Sequence, residues 1–411
     1  MRKLLQGTVN LPGSKSESNR ALMIAAYGGF PLDVDGLSDA HDTVLLKQLL
    51  ELTSLRGASA TKQPIIDCED AGSVARFLLT YLSGEPGEWL LTGSPRLCER
   101  PMASLVDALR QIGADIVGDS LPLKITGQSI KGGVVTLDAS QSSQFASSLL
   151  MAAPTWERGL QLTLTGDPVS MPYLEMTVKM MEHFGVQVIR DGNTLLVAHQ
   201  PYQPRPFTVS ADWSAASYWY ETMALSDGGE LLLKGLKYNS LQGDAVAAEW
   251  FGRFGVITTF DPQGVRLAKD NGLAVSDEEE LVFDFTNAPD LFPSIFVTCV
   301  AMRYRARFQG VRILSLKESN RVDSMISELS KLYTFNNIYN GDEFVIEKSL
   351  LKEVNSYTKK VIFNTYHDHR IAMALAPFLF LFERRMGFDD PTVVNKSYPA
   401  FWNEIEGKSP F

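Results

Sequence analysis

The chain has 411 residues, 38 Lys and Arg against 48 Asp and Glu, a net charge of −10 and 45% hydrophobic residues. That length suits two or three domains, and that apolar content suits large buried cores. The acidic balance argues against a nucleic-acid binder, which needs a basic surface to neutralise phosphates, yet it leaves small anionic substrates open, because a local cationic cluster overrides net charge. Three widely spaced cysteines, Cys68, Cys98 and Cys299, form neither a disulfide framework nor a metal-ligand pattern. A reduced, cytoplasmic protein is the expectation. Residues 1–7 hold no apolar stretch of signal-peptide length. The longest apolar run, 371–382, contains Pro377 and is too short to span a bilayer, so it is expected to be a buried helix.

In chain order, the first informative segment is Leu11-Pro12-Gly13-Ser14-Lys15-Ser16-Glu17-Ser18-Asn19-Arg20, followed by the apolar run 21–26. Hydroxyls and cations at a helix start suit an anion, because the first backbone N–H groups lack intrahelical partners and the dipole there favours negative charge. The device recurs at Asp70-Ala71-Gly72-Ser73-Val74-Ala75-Arg76, at Gln141-Ser142-Ser143-Gln144, at Lys317-Glu318-Ser319-Asn320-Arg321 and at Asp368-His369-Arg370. Each alone reads equally well as a plain helix cap. Together, if they converge, they make a strongly anionophilic site.

A second pattern is a repeat. The segments 105–112, 177–184 and 248–254 read as amphipathic helices running into Gly113, Gly185 and Gly255 and then into short strands at 114–117, 186–189 and 256–258. Glycine fits a left-handed residue after a helix end. A weaker copy over 325–335 lacks the glycine. A spacing of about 70 residues predicts a duplicated α/β unit. Strands are expected around 134–137, 160–164 and 230–233. Asn340-Gly341 predicts a hairpin, Asp277-Glu278-Glu279-Glu280 a solvated loop, and 201–206 (Pro-Tyr-Gln-Pro-Arg-Pro) a stiff connector between domains.

In this order the motifs resemble the 5-enolpyruvylshikimate-3-phosphate synthases, of the enolpyruvyl transferase family, over nearly the whole chain. Pro95-Arg96 with Glu99-Arg100-Pro101, Ser142-Ser143-Gln144-Phe145, Ser170 with Pro172-Tyr173, Asn239-Ser240-Leu241-Gln242-Gly243-Asp244 and Lys396 complete the pattern. The resemblance implies an α/β fold, a two-domain inverse α/β barrel with three βαβαββ units per domain. One domain is expected over 14–210, with shikimate 3-phosphate and part of the phosphoenolpyruvate site. The other combines 1–13 with 211–411 and carries the catalytic acid and base and the phosphoenolpyruvate carboxylate site.

The implied reaction moves the enolpyruvyl group of phosphoenolpyruvate to the 5-hydroxyl of shikimate 3-phosphate and releases phosphate. Carried over position by position, Ser16, Arg20, Ser142, Ser143, Ser170, Tyr173, Asp290 and Lys317 are expected to hold shikimate 3-phosphate. Lys15, Gly72, Arg96, Gln144, Arg321, Arg370 and Lys396 are expected to hold phosphoenolpyruvate, with Asp290 as base and Glu318, aided by Lys15, handling the proton at the methylene. Neither metal nor organic cofactor is implied, and monomer is the family default.

The chain departs from the family at Phe77, Cys98, Met171, Ile313 and Asn320, where proline, lysine, lysine, asparagine and aspartate are usual. These are read as changes in affinity and loop support. Gly72 keeps room beside the phosphoenolpyruvate site, and with the resemblance this implies inhibition by glyphosate. Two other readings are UDP-N-acetylglucosamine enolpyruvyl transferase, whose loop cysteine Cys98 would match, and a non-catalytic anion-binding homologue. The segment Ser14-Lys15-Ser16 with Arg20 fits the shikimate enzymes and not the first rival, and retention of Asp290 and Glu318 favours an enzyme over the second.

Overall fold

The computed structural model describes residues 4–31, 33–54, 64–276, 279–352, 360–381 and 386–407. They form two compact units, one of residues 14–209 and one of residues 1–13 with 210–411. The chain therefore passes between the units twice, after Gly13 and after Val209.

In the 14–209 unit, the strands Ile65–Asp67, Gly87–Thr92, Leu123–Gly127 and Asp115–Val117 lie side by side in that order. The first pair is parallel and the other two pairs are antiparallel. The strands Gly133–Asp138, Leu160–Thr165, Thr194–Val197 and Ile189–Asp191 repeat the arrangement. Buried and exposed residues alternate along Leu123–Gly127 and Leu160–Thr165, so each sheet turns one face to solvent and the other to helices. The helices Gly72–Gly84 and Ser143–Ala152 are apolar almost all round and nearly wholly buried, as an interior helix must be. Sheets outside and helices inside make the inverse α/β arrangement. A third, two-stranded parallel sheet joins Phe207–Thr208 to Val34–Asp35.

The second unit has the same plan. Leu4–Asn10 runs parallel to Gly228–Lys234, which is followed by Gly264–Lys269 and Val256–Asp261. Glu280–Asp284 runs parallel to Arg305–Gln309, followed by Glu343–Ile346 and Asn337–Tyr339. Val361–Phe363 pairs with Met386–Phe388 as a two-stranded parallel sheet. Inside lie Trp213–Leu225, Phe292–Met302 and His369–Leu375, packed around a cluster that includes Phe283, Phe292, Phe296, Phe308 and Phe344. Among the described residues, the third sheet of each unit has two strands rather than the four of a full βαβαββ unit.

The repeat is present in the backbone. Gly113, Gly185 and Gly255 follow helix ends with φ of 90°, 85° and 82°, a region that glycine enters without a Cβ clash. After Gly185 the strand begins at Ile189 rather than Val186. The weaker copy is the helix Arg321–Leu329 with the short strand Tyr333–Thr334. The hairpin at Asn340 forms one residue further on: Asn340 pairs with Glu343, leaving Gly341 and Asp342 at the tip.

Three expectations need correction. Residues 201–206 are not a connector, for Tyr202 is buried and its hydroxyl donates to the Met151 carbonyl at 2.9 Å, while Arg205 donates to the His183 carbonyl. Burial of the tyrosine ring outweighs the stiffness its neighbouring prolines suggest, and the passage between units falls at 209–210. In the acidic run, Asp277 and Glu278 lie outside the described residues, but Glu280 opens a strand and pairs with Arg307. The apolar run at 371–382 is split near Pro377 into the helices His369–Leu375 and Phe378–Leu381. No helix among the described residues is long and apolar enough to cross a membrane.

Candidate active site

In the 14–209 unit, Ser14 caps the helix Lys15–Gly28 by accepting from the Glu17 N–H, and Ser142 caps Ser143–Ala152 by accepting from the Gln144 N–H. Four helix starts are tied together by side chains. Asn19 donates to Ser73 Oγ, at the start of Gly72–Gly84. Arg76 donates to Gln144 Oε1 at 2.7 Å. Arg20 Nε donates to Thr177 Oγ1 at 2.7 Å, and its Nη2 donates to the Tyr173 carbonyl at 3.1 Å and to Ser147 Oγ at 3.4 Å. Its Nη1 donates to the Ser16 carbonyl at 3.0 Å. Ser16, Ser142, Ser143, Gln144, Ser170 and Tyr173 thus belong to one group of first turns.

Arg20 is only 3% exposed and lies over the Phe77 ring, which explains how a large apolar residue is accommodated at position 77. Burial lowers its pKa to about 10, so it is still cationic at neutral pH. It acts on this group both as a clamp and as a buried positive charge. Ser170 takes a left-handed backbone at φ 55° just before the helix Met171–His183, a strained conformation for a residue with a Cβ. Lys15 Nζ lies 2.9 Å from Asp42, in the first turn of His41–Ser54. Gly72 leaves room for two guanidinium groups: a Cβ there would lie 2.4 Å from Arg100 Nη1 and 3.1 Å from Arg76 Nη1, so an arginine would have to shift. Arg96 stands in the short helix Pro95–Glu99 as a largely exposed pair with Glu99. Cys98, in the same helix, turns its thiol to the Gly93 carbonyl.

The 1–13/210–411 unit carries a denser cluster. Arg321, 1% exposed, donates to Asp290 Oδ1 at 2.8 Å, to Glu318 Oε2 at 2.9 Å and to Asp368 Oδ2 at 2.9 Å. Arg370 donates to Asp290 Oδ2 at 2.8 Å and to the Tyr218 hydroxyl at 3.5 Å. Lys317 Nζ lies 3.8 Å from Asp290, and Lys396 Nζ lies 3.9 Å from Glu318. Four cations therefore face three carboxylates, an excess of positive charge that suits an anionic ligand. Asp368 organises this cluster. It caps the helix His369–Leu375 by accepting from the Arg370 N–H, and Ser319 Oγ donates to it at 3.1 Å. Two successive left-handed residues, Tyr366 and His367, lead into Asp368, and Glu328 holds the loop by accepting from the Tyr366 hydroxyl and the Asn364 N–H.

The charge state of Asp290 follows from two opposed effects. Burial disfavours the carboxylate, but Arg370, Lys317 and Arg321 outweigh it and hold Asp290 well below the usual carboxylate range. Burial likewise acts against the Arg321 charge, and Asp368, Glu318 and Asp290 more than compensate. Asn320 caps the helix Arg321–Leu329 through the Asp323 N–H, a role asparagine fills as well as the aspartate usual in the family. Ile313 is buried in the core, and Met171 opens the helix after Ser170.

Sequence reasoning left three acids without a role. Asp368 and Asp244 lie inside motifs singled out for other residues, so the signal was present. Asp42 shows only as an acid in the first turn of a helix, and its pairing with Lys15 is a tertiary event.

Two solved structures share this architecture. An EPSP synthase from Acinetobacter baumannii superposes with a TM-score of 0.72 at 21% identity, covering 100% of this chain and 97% of that one. The enolpyruvyl transferase NikO from Streptomyces tendae superposes with a TM-score of 0.72 at 14% identity, covering 99% and 95%. The fold is that of the enolpyruvyl transferases. At the sequence level, the pattern of the EPSP synthase (3-phosphoshikimate 1-carboxyvinyltransferase) family matches residues 1–405. A 3-phosphoshikimate 1-carboxyvinyltransferase of Bacteroides fragilis (strain YCH46) is 40% identical over 407 residues, spanning 98% of this chain and 95% of that protein. One from Vibrio cholerae serotype O1 (strain M66-2) is 32% identical over 427 residues, spanning 98% and 97%. The chain belongs to the EPSP synthase family.

Proposed function

We propose that this chain is a 3-phosphoshikimate 1-carboxyvinyltransferase, which joins the enolpyruvyl group of phosphoenolpyruvate to the 5-hydroxyl of shikimate 3-phosphate and releases phosphate, a step of aromatic amino acid biosynthesis. The observation that carries this reading is the buried cluster in which Asp290 and Glu318 are held by Lys317, Arg321, Arg370 and Lys396, in a chain of this family. Ser16, Arg20, Ser142, Ser143, Ser170, Tyr173, Asp290 and Lys317 take shikimate 3-phosphate. Lys15, Gly72, Arg96, Gln144, Arg321, Arg370 and Lys396 take phosphoenolpyruvate, the arginines because a planar fork matches carboxylate and phosphate with paired hydrogen bonds. The 14–209 unit would thus supply most of the shikimate 3-phosphate contacts, and the other unit the acid, the base and the carboxylate contacts.

The reaction is an addition followed by an elimination through a tetrahedral intermediate. In the addition, the hydroxyl oxygen bonds to the central carbon of phosphoenolpyruvate, its proton goes to Asp290, and Glu318, which takes up a proton once phosphoenolpyruvate engages Arg321 and Lys396, delivers it to the methylene. In the elimination, Glu318 takes a methyl proton back, and phosphate departs carrying the proton that Asp290 had received. As it stands, Asp290 is a weak base, since both its oxygens accept from guanidinium groups. Phosphoenolpyruvate competes for Arg321 and Arg370 and neutralises their charge, which raises the basicity of Asp290 at the moment the second substrate is present. The acceptor alone would leave the base suppressed.

The protein is further read as a cytoplasmic monomer without nucleic acid or membrane partners. Buried free thiols at Cys68 and Cys299 suit a reducing compartment. The test of the reaction is phosphate release on mixing both substrates. Release that requires each substrate is expected. Tight binding of both without release at any pH would identify a non-catalytic binder instead.

A further inference from the structure

One acid beside this cluster has no part in the steps above. Asp244 lies in the 3-10 turn Gly243–Val246, after Gln242, whose amide accepts from the Trp213 N–H and donates to the Ala211 carbonyl. The turn is thereby fastened to the start of the helix Trp213–Leu225. Asp244 is 1% exposed. Its Oδ2 accepts from Ser214 Oγ, while its Oδ1 is buried without a hydrogen-bond partner. Ser214 and Tyr218 are one turn apart on the same helix face, and Tyr218 in turn receives Arg370. One helix face thus carries both the hydroxyl that bonds Asp244 and the hydroxyl that receives Arg370, the guanidinium that holds Asp290.

The charged groups acting on Asp244 are Asp290 on the turn Pro289–Leu291, Arg370 on the helix His369–Leu375 and Asp212 at the cap of its own neighbouring helix. Burial and the Asp290 charge push its carboxyl up to about 7, against the pull of Arg370 and the Ser214 hydroxyl. A buried carboxylate oxygen with no donor is costly when ionised and much less so when protonated. An anion that occupies Arg370 offsets a cation that favours ionisation of Asp244.

We propose that Asp244 is a proton-linked positioning residue for phosphoenolpyruvate: it holds a proton while the anion occupies Arg370 and exchanges it with solvent when the anion leaves. By reciprocity, ionisation of Asp244 weakens the anion's hold on Arg370. Asp244 touches neither reacting atom. It sets the charge behind the arginine that does the binding. The proposal rests on the reading that Arg370 holds phosphoenolpyruvate.

The experiment is the pH dependence of the KM for phosphoenolpyruvate at saturating shikimate 3-phosphate, from about pH 7 to about pH 9. A phosphate monoester completes its second ionisation below that range, near about pH 6. In the wild-type protein KM should rise by roughly tenfold across the range, the effect of a single linked proton worth about one pH unit of affinity. Asp244→Asn, always neutral, should flatten the rise. Ser214→Ala removes the donor that favours the ionised form and should displace the onset to higher pH, without depending on whether the Asn variant folds. A rise that survives in Asp244→Asn, or an onset unmoved in Ser214→Ala, overturns the proposal. Arg370→Gln separates the two readings. If it leaves KM unchanged, the assignment of Arg370 fails. If it raises KM while Asp244→Asn keeps the wild-type profile, only the role of Asp244 fails.

Discussion

Replacing Arg321 with methionine tests whether one buried guanidinium holds the acidic cluster together. Its three hydrogen-bonded carboxylates lie at 2.8, 2.9 and 2.9 Å. Two unit charges about 4 Å apart attract by about 4 kcal/mol at an effective dielectric near 20, so three such pairs give a gross attraction of roughly 12 kcal/mol. Desolvating the ions consumes most of this, and removal of one partner from a buried network typically costs about 3–5 kcal/mol, because the remaining charges stay buried. Arg321→Met should therefore lose about 3–5 kcal/mol of unfolding free energy at about pH 7. The loss also depends on pH with a definite sign. Asp290 is held below its unfolded value, so its contribution is present above about pH 4 and fades as pH falls toward the lowered folded value. The wild-type advantage should shrink as acid protonates the carboxylates. Urea unfolding followed by tryptophan fluorescence reports mainly on the appropriate unit, since four of the six tryptophans, Trp213, Trp219, Trp250 and Trp402, lie in it. A loss under about 1 kcal/mol at neutral pH, or one of equal size at both ends of the pH range, would refute the view of Arg321 as the hub.

Further outcomes follow from the same geometry. Glu318→Gln should lower turnover by roughly 100-fold or more while shikimate 3-phosphate binding stays near wild type; an equal collapse in binding, measured by titration, would make Glu318 structural. Gly72→Ala places a Cβ 2.4 Å from an Arg100 terminal nitrogen, so the arginine must move, and steady-state kinetics should show a raised KM for phosphoenolpyruvate with the KM for shikimate 3-phosphate nearly unchanged. Glu221, buried with neither carboxyl oxygen hydrogen-bonded, is pushed well above the usual carboxylate range by burial. Its folded pKa is raised, so the protein loses stability as pH climbs above the unfolded value of about 4.3. Glu221→Gln should recover on the order of 1–3 kcal/mol at pH 7, and the gain should grow between about pH 5 and pH 7; a gain independent of pH in thermal melts would count against ionisation as the cause.

Local chemistry made much of this protein legible. The helix ends at Gly113, Gly185 and Gly255 and the capping residues Ser14 and Ser142 could be read directly, because a glycine needed at positive φ or a hydroxyl at a first turn answers to its immediate neighbours. The same holds for the order of motifs that led to the family. The roles of individual charges were less legible. Arg20 and Arg76 share a sequence setting with Lys15, at a helix start rich in small polar residues. Yet Arg20 bonds to two further helices, Ser143–Ala152 and Met171–His183, Arg76 bonds to Gln144 at the start of the first of these, and Lys15 pairs with Asp42.

The sequence by itself determined where helices begin and end, which unit repeats and which residue types stand at the first turns. Only the tertiary structure decided the register in which Leu4–Asn10, expected in the second unit, pairs along its length with Gly228–Lys234, and that Asp290, Glu318 and Asp368 meet on a single arginine. The physical reason is range. Backbone preference is set by a few adjacent residues, whereas the partner of a buried charge is set by whatever group the packing of distant segments brings within about 3 Å, where leaving it unpaired would cost several kcal/mol.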